Sequence, residues 1–210
     1  MTRLNQDQLN ELIADSTTLI SNSFGPKVLL LSNKHCLKFF RLKSWFSSAL
    51  FYHYADRFVY NANKLAALNI PTLKVINEFS IPRDFIQDSK LTKAVEYSYV
   101  EGHSLRDLIM HNHLNNTHAR ELGQFVAKLH HLGIYFKACH FGNILYDAKS
   151  PNGLKFKLID IENMKFYNKP LPKNKVINNF KQMTKYDIDK GWLTIYKKDF
   201  ETGYGQVITF

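Results

Sequence analysis

Ala138-Cys139-His140-Phe141-Gly142-Asn143-Ile144-Leu145 leads into an apolar strand, and 17 residues beyond Asn143 the run Phe156-Lys157-Leu158-Ile159 closes on Asp160. An Asn just ahead of an apolar strand can present its carbonyl oxygen to a metal ion. A carboxylate ending the next strand is what a two-strand hairpin brings beside that Asn. Mg²⁺ favours such sparse oxygen ligation, completed by phosphates and water. Gly142-Asn143 is equally an ordinary turn dipeptide, so the weight lies in the order and spacing of the two side chains together. His140 shares the loop, and an imidazole with an unperturbed pKa of about 6.5 can accept a proton or contact a phosphate. A purely structural hydrogen bond is its alternative role. Glu162, two residues past Asp160, is a second candidate acid–base group.

Working outward, residues 117–132 carry Leu122, Phe125, Val126 and Leu129 at helical spacing, and 104–111 also reads as helix. Residues 133–143 read as loop. Upstream, Lys27–Leu31 and His35–Phe40 read as strands joined at hairpin length by Ser32-Asn33-Lys34. Lys38 stands in the second of these, where a lysine can reach a phosphate or simply face solvent. Leu50, Tyr54, Phe58, Ala62, Leu65 and Leu68 share one face over 47–69, and Pro71 pushes its predecessor out of the α region and ends that helix. Strands are expected at Leu73–Ile76 and Ala94–Val100. Leu9, Leu12, Ile13 and Ile20 predict a helix over 6–20, with a turn at Ser23–Pro26. Strands first and helices later predict an α+β fold of two lobes, 1–98 and 99–210, with a ligand cleft between them.

Composition narrows the partners. A 45% hydrophobic, 14% aromatic chain is globular rather than disordered. No apolar run approaches the roughly 18 residues needed to span a bilayer, and the first residues lack the apolar core of a signal peptide. Cys36 and Cys139 are the only cysteines and have no redox or metal spacing, which suits a reducing, cytoplasmic setting. A zinc cluster of His130, His131, Cys139 and His140 fits no standard ligand spacing. The formal charge of +10 favours anionic partners: nucleotide phosphates, phosphorylated glycolipid, an acidic inner-membrane face or nucleic acid. Nine lysines between Lys165 and Lys198 predict a basic C-terminal face. Phe39–Phe46 mixes aromatics and cations as a membrane-surface contact does, or as core with a polar rim.

Several of these segments, over roughly residues 24–167, resemble bacterial lipopolysaccharide core kinases and toluene-tolerance proteins. The resemblance rests on Gly25-Pro26-Lys27-Val28, Cys36–Arg41, Leu68-Asn69-Ile70-Pro71, Val100-Glu101-Gly102-His103-Ser104-Leu105, Gly133–Lys137 through Asn143, and Leu158-Ile159-Asp160-Ile161. It implies a protein-kinase-like fold binding ATP and Mg²⁺. Lys38 then resembles the lysine that contacts α- and β-phosphates, and Tyr97 and Tyr99 fall where the hinge would take adenine. Asn143 and Asp160 resemble the two metal ligands. The implied acceptor is a hydroxyl of a lipopolysaccharide-core sugar or a related anionic molecule.

Departures from that pattern are specific. The catalytic aspartate expected five residues before the Asn is Ala138. Gly25 is the only glycine in the turn before Lys38. Asn61 stands where a glutamate would pair with the lysine, and Glu162 replaces the glycine of Asp-Phe-Gly. A positioned base contributes about 10²–10⁴-fold, whereas phosphoryl transfer rests mainly on positioning and charge neutralisation. Two expectations therefore stand: a phosphotransferase with His140 acting at the γ-phosphate or acceptor, and a pseudokinase used as a binding module.

Overall fold

The computed structural model describes residues 1–23, 25–41, 53–81, 91–150 and 153–208. The chain divides into two compact units, one of Met1–Lys64 with Leu73–Val100 and one of Leu65–Thr72 with Glu101–Phe210.

The first unit is built on a six-stranded sheet. In chain order its elements are β1 (Thr2–Arg3), α1 (Gln6–Ala14), β2 (Thr17–Asn22), β3 (Gly25–Leu30), β4 (His35–Arg41), α2 (Tyr54–Ala67, whose last three residues are counted in the second unit), β5 (Val75–Ser80) and β6 (Leu91–Ser98). The sheet order is β1-β5-β6-β4-β3-β2. Strand β4 lies inside it, antiparallel to β3 on one side and β6 on the other. Residues Cys36 to Phe40 of β4 are all buried, the mark of a strand covered on both faces. Because side chains alternate, Leu37 and Phe39 join Leu4, Leu9, Leu29, Phe79, Leu91 and Ala94 under α1. The opposite face carries Lys38 and Phe40 toward α2, where Phe58 meets Phe40 at 5.5 Å and Tyr97 at 5.4 Å between ring centroids.

The expected helix over 6–20 is shorter. Asn5 and Gln8 form a reciprocal capping box that starts α1. Ser16 ends it, its N–H and hydroxyl both donating to the Ile13 carbonyl. Thr17, Thr18 and Ile20 are β-branched and pair with β3 as an exposed edge strand instead. Gly25, at φ 100°, and Pro26 belong to β3 rather than wholly to the turn. The long helix runs Tyr54–Ala67 and closes on Asn69 at φ 53°, with Ile70 N–H donating to the Leu65 carbonyl. Its expected first residues, 47–52, lie outside the described residues, as does most of the aromatic–cationic run ending at Phe46. The strand expected at 73–76 begins two residues later.

The second unit contains β7 (His103–Ser104), α3 (Leu105–Met110), α4 (Asn116–His131), β8 (Ile134–Phe136), β9 (Ile144–Tyr146), β10 (Phe156–Leu158), β11 (Met164–Phe166), α5 (Lys173–Met183), α6 (Asp187–Ile195) and α7 (Lys197–Tyr204). Strands β10-β9-β7 form one small sheet and β11-β8 another. The segment expected to be loop from 133 thus holds β8. Helices α4 and α7 touch backbone to backbone: a Cβ on Gly203 would lie 1.9 Å from the Arg120 carbonyl oxygen, and one on Gly123 2.2 Å from that of Phe200. Only glycine at both positions permits that approach. Phe180, Met183, Trp192, Leu193 and Phe200 give the three C-terminal helices a buried core. Among the described residues, no helix is long and apolar enough to cross a membrane.

Candidate active site

The β9–β10 hairpin sets Ile144 opposite Leu158. That register places 159–160 beside 142–143, and Ile159 N–H donates to the Asn143 carbonyl at 3.1 Å. Asn143 is buried, 8% exposed. Its amide nitrogen donates to the Ala138 carbonyl at 3.0 Å and to His140 Nε2 at 3.1 Å. Both amide protons are thereby used, which fixes the amide and leaves Oδ1 as its acceptor end. The same bond makes His140 Nε2 an acceptor, so the ring is neutral with its proton on Nδ1. Burial lowers the pKa of His140, with Arg106 and Lys185 adding to the effect against Asp189 and Asp160. Asp160 itself sits at φ 56°, ψ 46°, between β10 and a short 3₁₀ turn at Ile161–Asn163 that includes Glu162. A non-glycine residue held left-handed is uncommon, and such backbones concentrate at functional sites.

A buried ion pair braces the loop from outside. Asp189 of α6 is fully buried and accepts from Arg106 Nε at 2.9 Å and Nη2 at 2.7 Å, and from the Phe141 N–H at 3.2 Å. The guanidinium lies 4.0 Å from the Tyr186 ring centroid, and His140 meets that ring edge-on at 5.3 Å. At the start of the loop, Asn179 donates to the Phe136 carbonyl at 2.6 Å while its Oδ1 faces His130 Nε2 at 3.2 Å. His130 Nδ1 faces the Tyr204 hydroxyl at 2.9 Å. Both ring nitrogens of His130 are thus engaged, and burial pulls its pKa down to about 4. Among the described residues, no three His, Cys, Asp or Glu side chains gather at metal-binding distance.

The remaining candidates lie in the first unit. Lys38 is 4% exposed, its Nζ 4.9 Å from the Phe58 centroid and 5.5 Å from that of Phe40. Asn61 is buried one turn beyond Phe58 on α2. Tyr97 is buried against Phe58, whereas Tyr99 is 49% exposed just past β6. So His140, Asn143 and Asp160 are brought together within one unit, and Lys38 and Tyr97 share one ring cluster in the other. Arg106, Tyr186 and Asp189 were not among the candidates read from sequence. Arg106 and Asp189 are 83 positions apart, and α6 also carries Asp187 and Lys190, so no local pattern marked Asp189 as the buried carboxylate.

The sequence profile of the lipopolysaccharide kinase (Kdo/WaaP) family matches residues 52–204. No curated protein sequence matches significantly. The solved structure of WaaP in complex with acyl carrier protein aligns at TM-score 0.57 and 10% identity, over 95% of this chain and 81% of that one. A kinase of Cydia pomonella granulovirus, PK-1, aligns at TM-score 0.47 and 12% identity, over 91% of this chain and 82% of that one. The first alignment shows a shared kinase-like fold. With its profile spanning most of the sequence, the chain belongs to the lipopolysaccharide kinase (Kdo/WaaP) family.

Proposed function

We propose that this protein is an ATP-dependent phosphotransferase acting on a hydroxyl of a lipopolysaccharide-core sugar or a related anionic acceptor. The observation that carries this reading is the locked amide of Asn143, whose Oδ1 is its acceptor end, at the same end of the β9–β10 hairpin as Asp160. An amide oxygen and a carboxylate are hard donors, few in number, and fit Mg²⁺ rather than zinc. In this reading Asn143 and Asp160 hold the metal, Lys38 holds the α- and β-phosphates, and Tyr97 with Tyr99 receives the adenine. Bound Mg-ATP supplies the phosphoryl group and a cation that offsets its charge. The protein's part is then to orient: the Ala138 carbonyl and His140 fix Asn143, while Asp189 and Arg106 fix the loop. His140 keeps its Nε2 on Asn143 and acts at the γ-phosphate or acceptor through Nδ1. Its lowered pKa keeps the ring neutral at pH 7.

Thermal unfolding with Mg-ATP tests the site. Nucleotide at about tenfold over Kd should raise Tm by roughly 3–6 °C. Lys38→Ala and Asp160→Asn should abolish the rise; no rise in wild type at millimolar nucleotide would sink the reading. A second reading, a pseudokinase, is favoured by Ala138 and by the buried Asn61 in place of a glutamate. Transfer from γ-labelled ATP to lipopolysaccharide extract separates the two: label incorporation, reduced in His140→Ala, supports the enzyme, and binding without incorporation supports the pseudokinase. Reaction on the cytoplasmic side of the inner membrane suits the basic C-terminal helices, where Lys173, Lys181 and Lys185 are exposed beside Ile177 and Ile188.

A further inference from the structure

His140 Nδ1 is buried and has no hydrogen-bond partner among the described residues. With Nε2 accepting from Asn143, Nδ1 carries a proton, so a donor is left without an acceptor at the centre of the loop. Buried donors of this kind are rare and call for an explanation. Beside it, Arg106 uses Nε and Nη2 on Asp189, and its third nitrogen, Nη1, is turned to Gly142. A Cβ on Gly142 would lie 3.2 Å from His140 Nδ1 and 3.3 Å from Arg106 Nη1. Gly142 does not have a left-handed backbone. Conformation does not demand glycine there; its missing side chain lets both donors approach its Cα closely. Lys185 adds positive charge, its Nζ 5.4 Å from the Tyr186 ring on which Arg106 stacks. Of the two carboxylates that act on His140, Asp189 is paired with Arg106, which leaves Asp160 to oppose an anion.

The geometry points to an oxyanion subsite formed by His140 Nδ1–H, Arg106 Nη1 and the bare Cα of Gly142, which takes a phosphate or carboxylate group of the acceptor. The inference rests on the phosphotransferase reading for its substrate, but not for its binding chemistry. Arg106 supplies a fixed fork, half committed to Asp189 and half available to the anion. An acceptor carrying a charged group near its reacting hydroxyl is thereby held and oriented, which gives the loop an acceptor-recognition role that does not require an aspartate at Ala138.

Gly142→Ala is the informative variant, because it fills the space without unpairing Asp189 or straining the backbone. The ring ¹⁵N shifts of His140 are followed by NMR during titration with inorganic phosphate and, separately, acetate. A saturable shift at Nδ1 is expected in wild type and in Asp160→Asn, weakened about tenfold or more in Gly142→Ala, the equivalent of one charge-assisted hydrogen bond. Response to phosphate alone assigns a phosphate group, and response to both admits a carboxylate. With lipopolysaccharide extract, Gly142→Ala should raise the acceptor KM by a similar factor and leave the KM for ATP within about twofold. Absence of a saturable shift, an undiminished shift in Gly142→Ala, or its abolition by Mg-AMP-PNP would overturn the assignment; the last would hand the site to the nucleotide. A phosphate response that persists where Mg-ATP gives no thermal shift would leave the subsite standing and remove the kinase reading.

Discussion

Two buried carboxylates, one in each unit, are satisfied in different ways. Glu96 of β6 is 5% exposed and accepts from the Asn33 and Asn77 amides at 3.2 and 2.6 Å and from His35 Nδ1 at 2.7 Å. Burial works to raise its pKa, and these donors overcome that and hold it below the ordinary value. All three partners are neutral or only conditionally charged. Asp189 is fully buried but faces a permanent cation in bidentate geometry and a backbone N–H of the loop that carries His140 and Asn143. The first arrangement ties strands of a sheet together, and the second ties the loop of His140 and Asn143 to a helix. Several neutral donors suffice to hold a scaffold, whereas the loop is set by one bidentate ion pair, so damage to each should read out differently.

The largest effect is expected from Asp189→Ala. Removing one member of a buried pair strands Arg106 and the Phe141 N–H and costs about 3 kcal/mol or more, a Tm drop of roughly 6–12 °C by thermal unfolding. Phosphate transfer should fall with it, because the loop loses its anchor. Next is acid sensitivity. The folded pKa of His130, about 4, lies below its ordinary 6.5, so the unfolded chain binds the proton more readily. The stabilisation is whole above pH 6.5, falls away between about 6.5 and 4, and amounts to about 3 kcal/mol at most. Urea titrations across that window should show the loss, and His130→Gln should flatten it. Gly203→Ala drives a Cβ into the Arg120 backbone and should cost about 2–3 kcal/mol in the same assay. Smallest is Glu96→Gln, which sets an amide against the Asn77 donor and should cost about 1–2 kcal/mol. A Glu96→Gln loss as large as that of Asp189→Ala, or a collapse of nucleotide binding in it, would break the contrast between scaffold and site.

What the sequence disclosed follows the same division. Asn143 and Asp160 were readable because an antiparallel hairpin fixes their juxtaposition from spacing alone. Lys38 was readable as a strand residue, but its burial among Phe40 and Phe58 depended on how α2 packs, which periodicity does not give. Thr17–Ile20 was read as helix because Ile20 happens to extend the spacing of Leu9, Leu12 and Ile13, although the β-branched threonines argued otherwise. Arg106, Tyr186 and Asp189 were invisible, since no local pattern joins α3 to α6. Gly142 looked like turn chemistry, and only the positions of His140 Nδ1 and Arg106 Nη1 give its missing side chain a purpose.

The central claim is that Asn143 Oδ1 and the Asp160 carboxylate hold the metal of a bound nucleotide. Electron paramagnetic titration of Mn²⁺ in place of Mg²⁺, with ATP present, measures this directly. Wild type should bind Mn²⁺–ATP saturably, and Asn143→Ala and Asp160→Asn should each weaken it by about tenfold or more, the loss of one inner ligand. Equal Mn²⁺–ATP affinity in wild type and both variants would contradict the account.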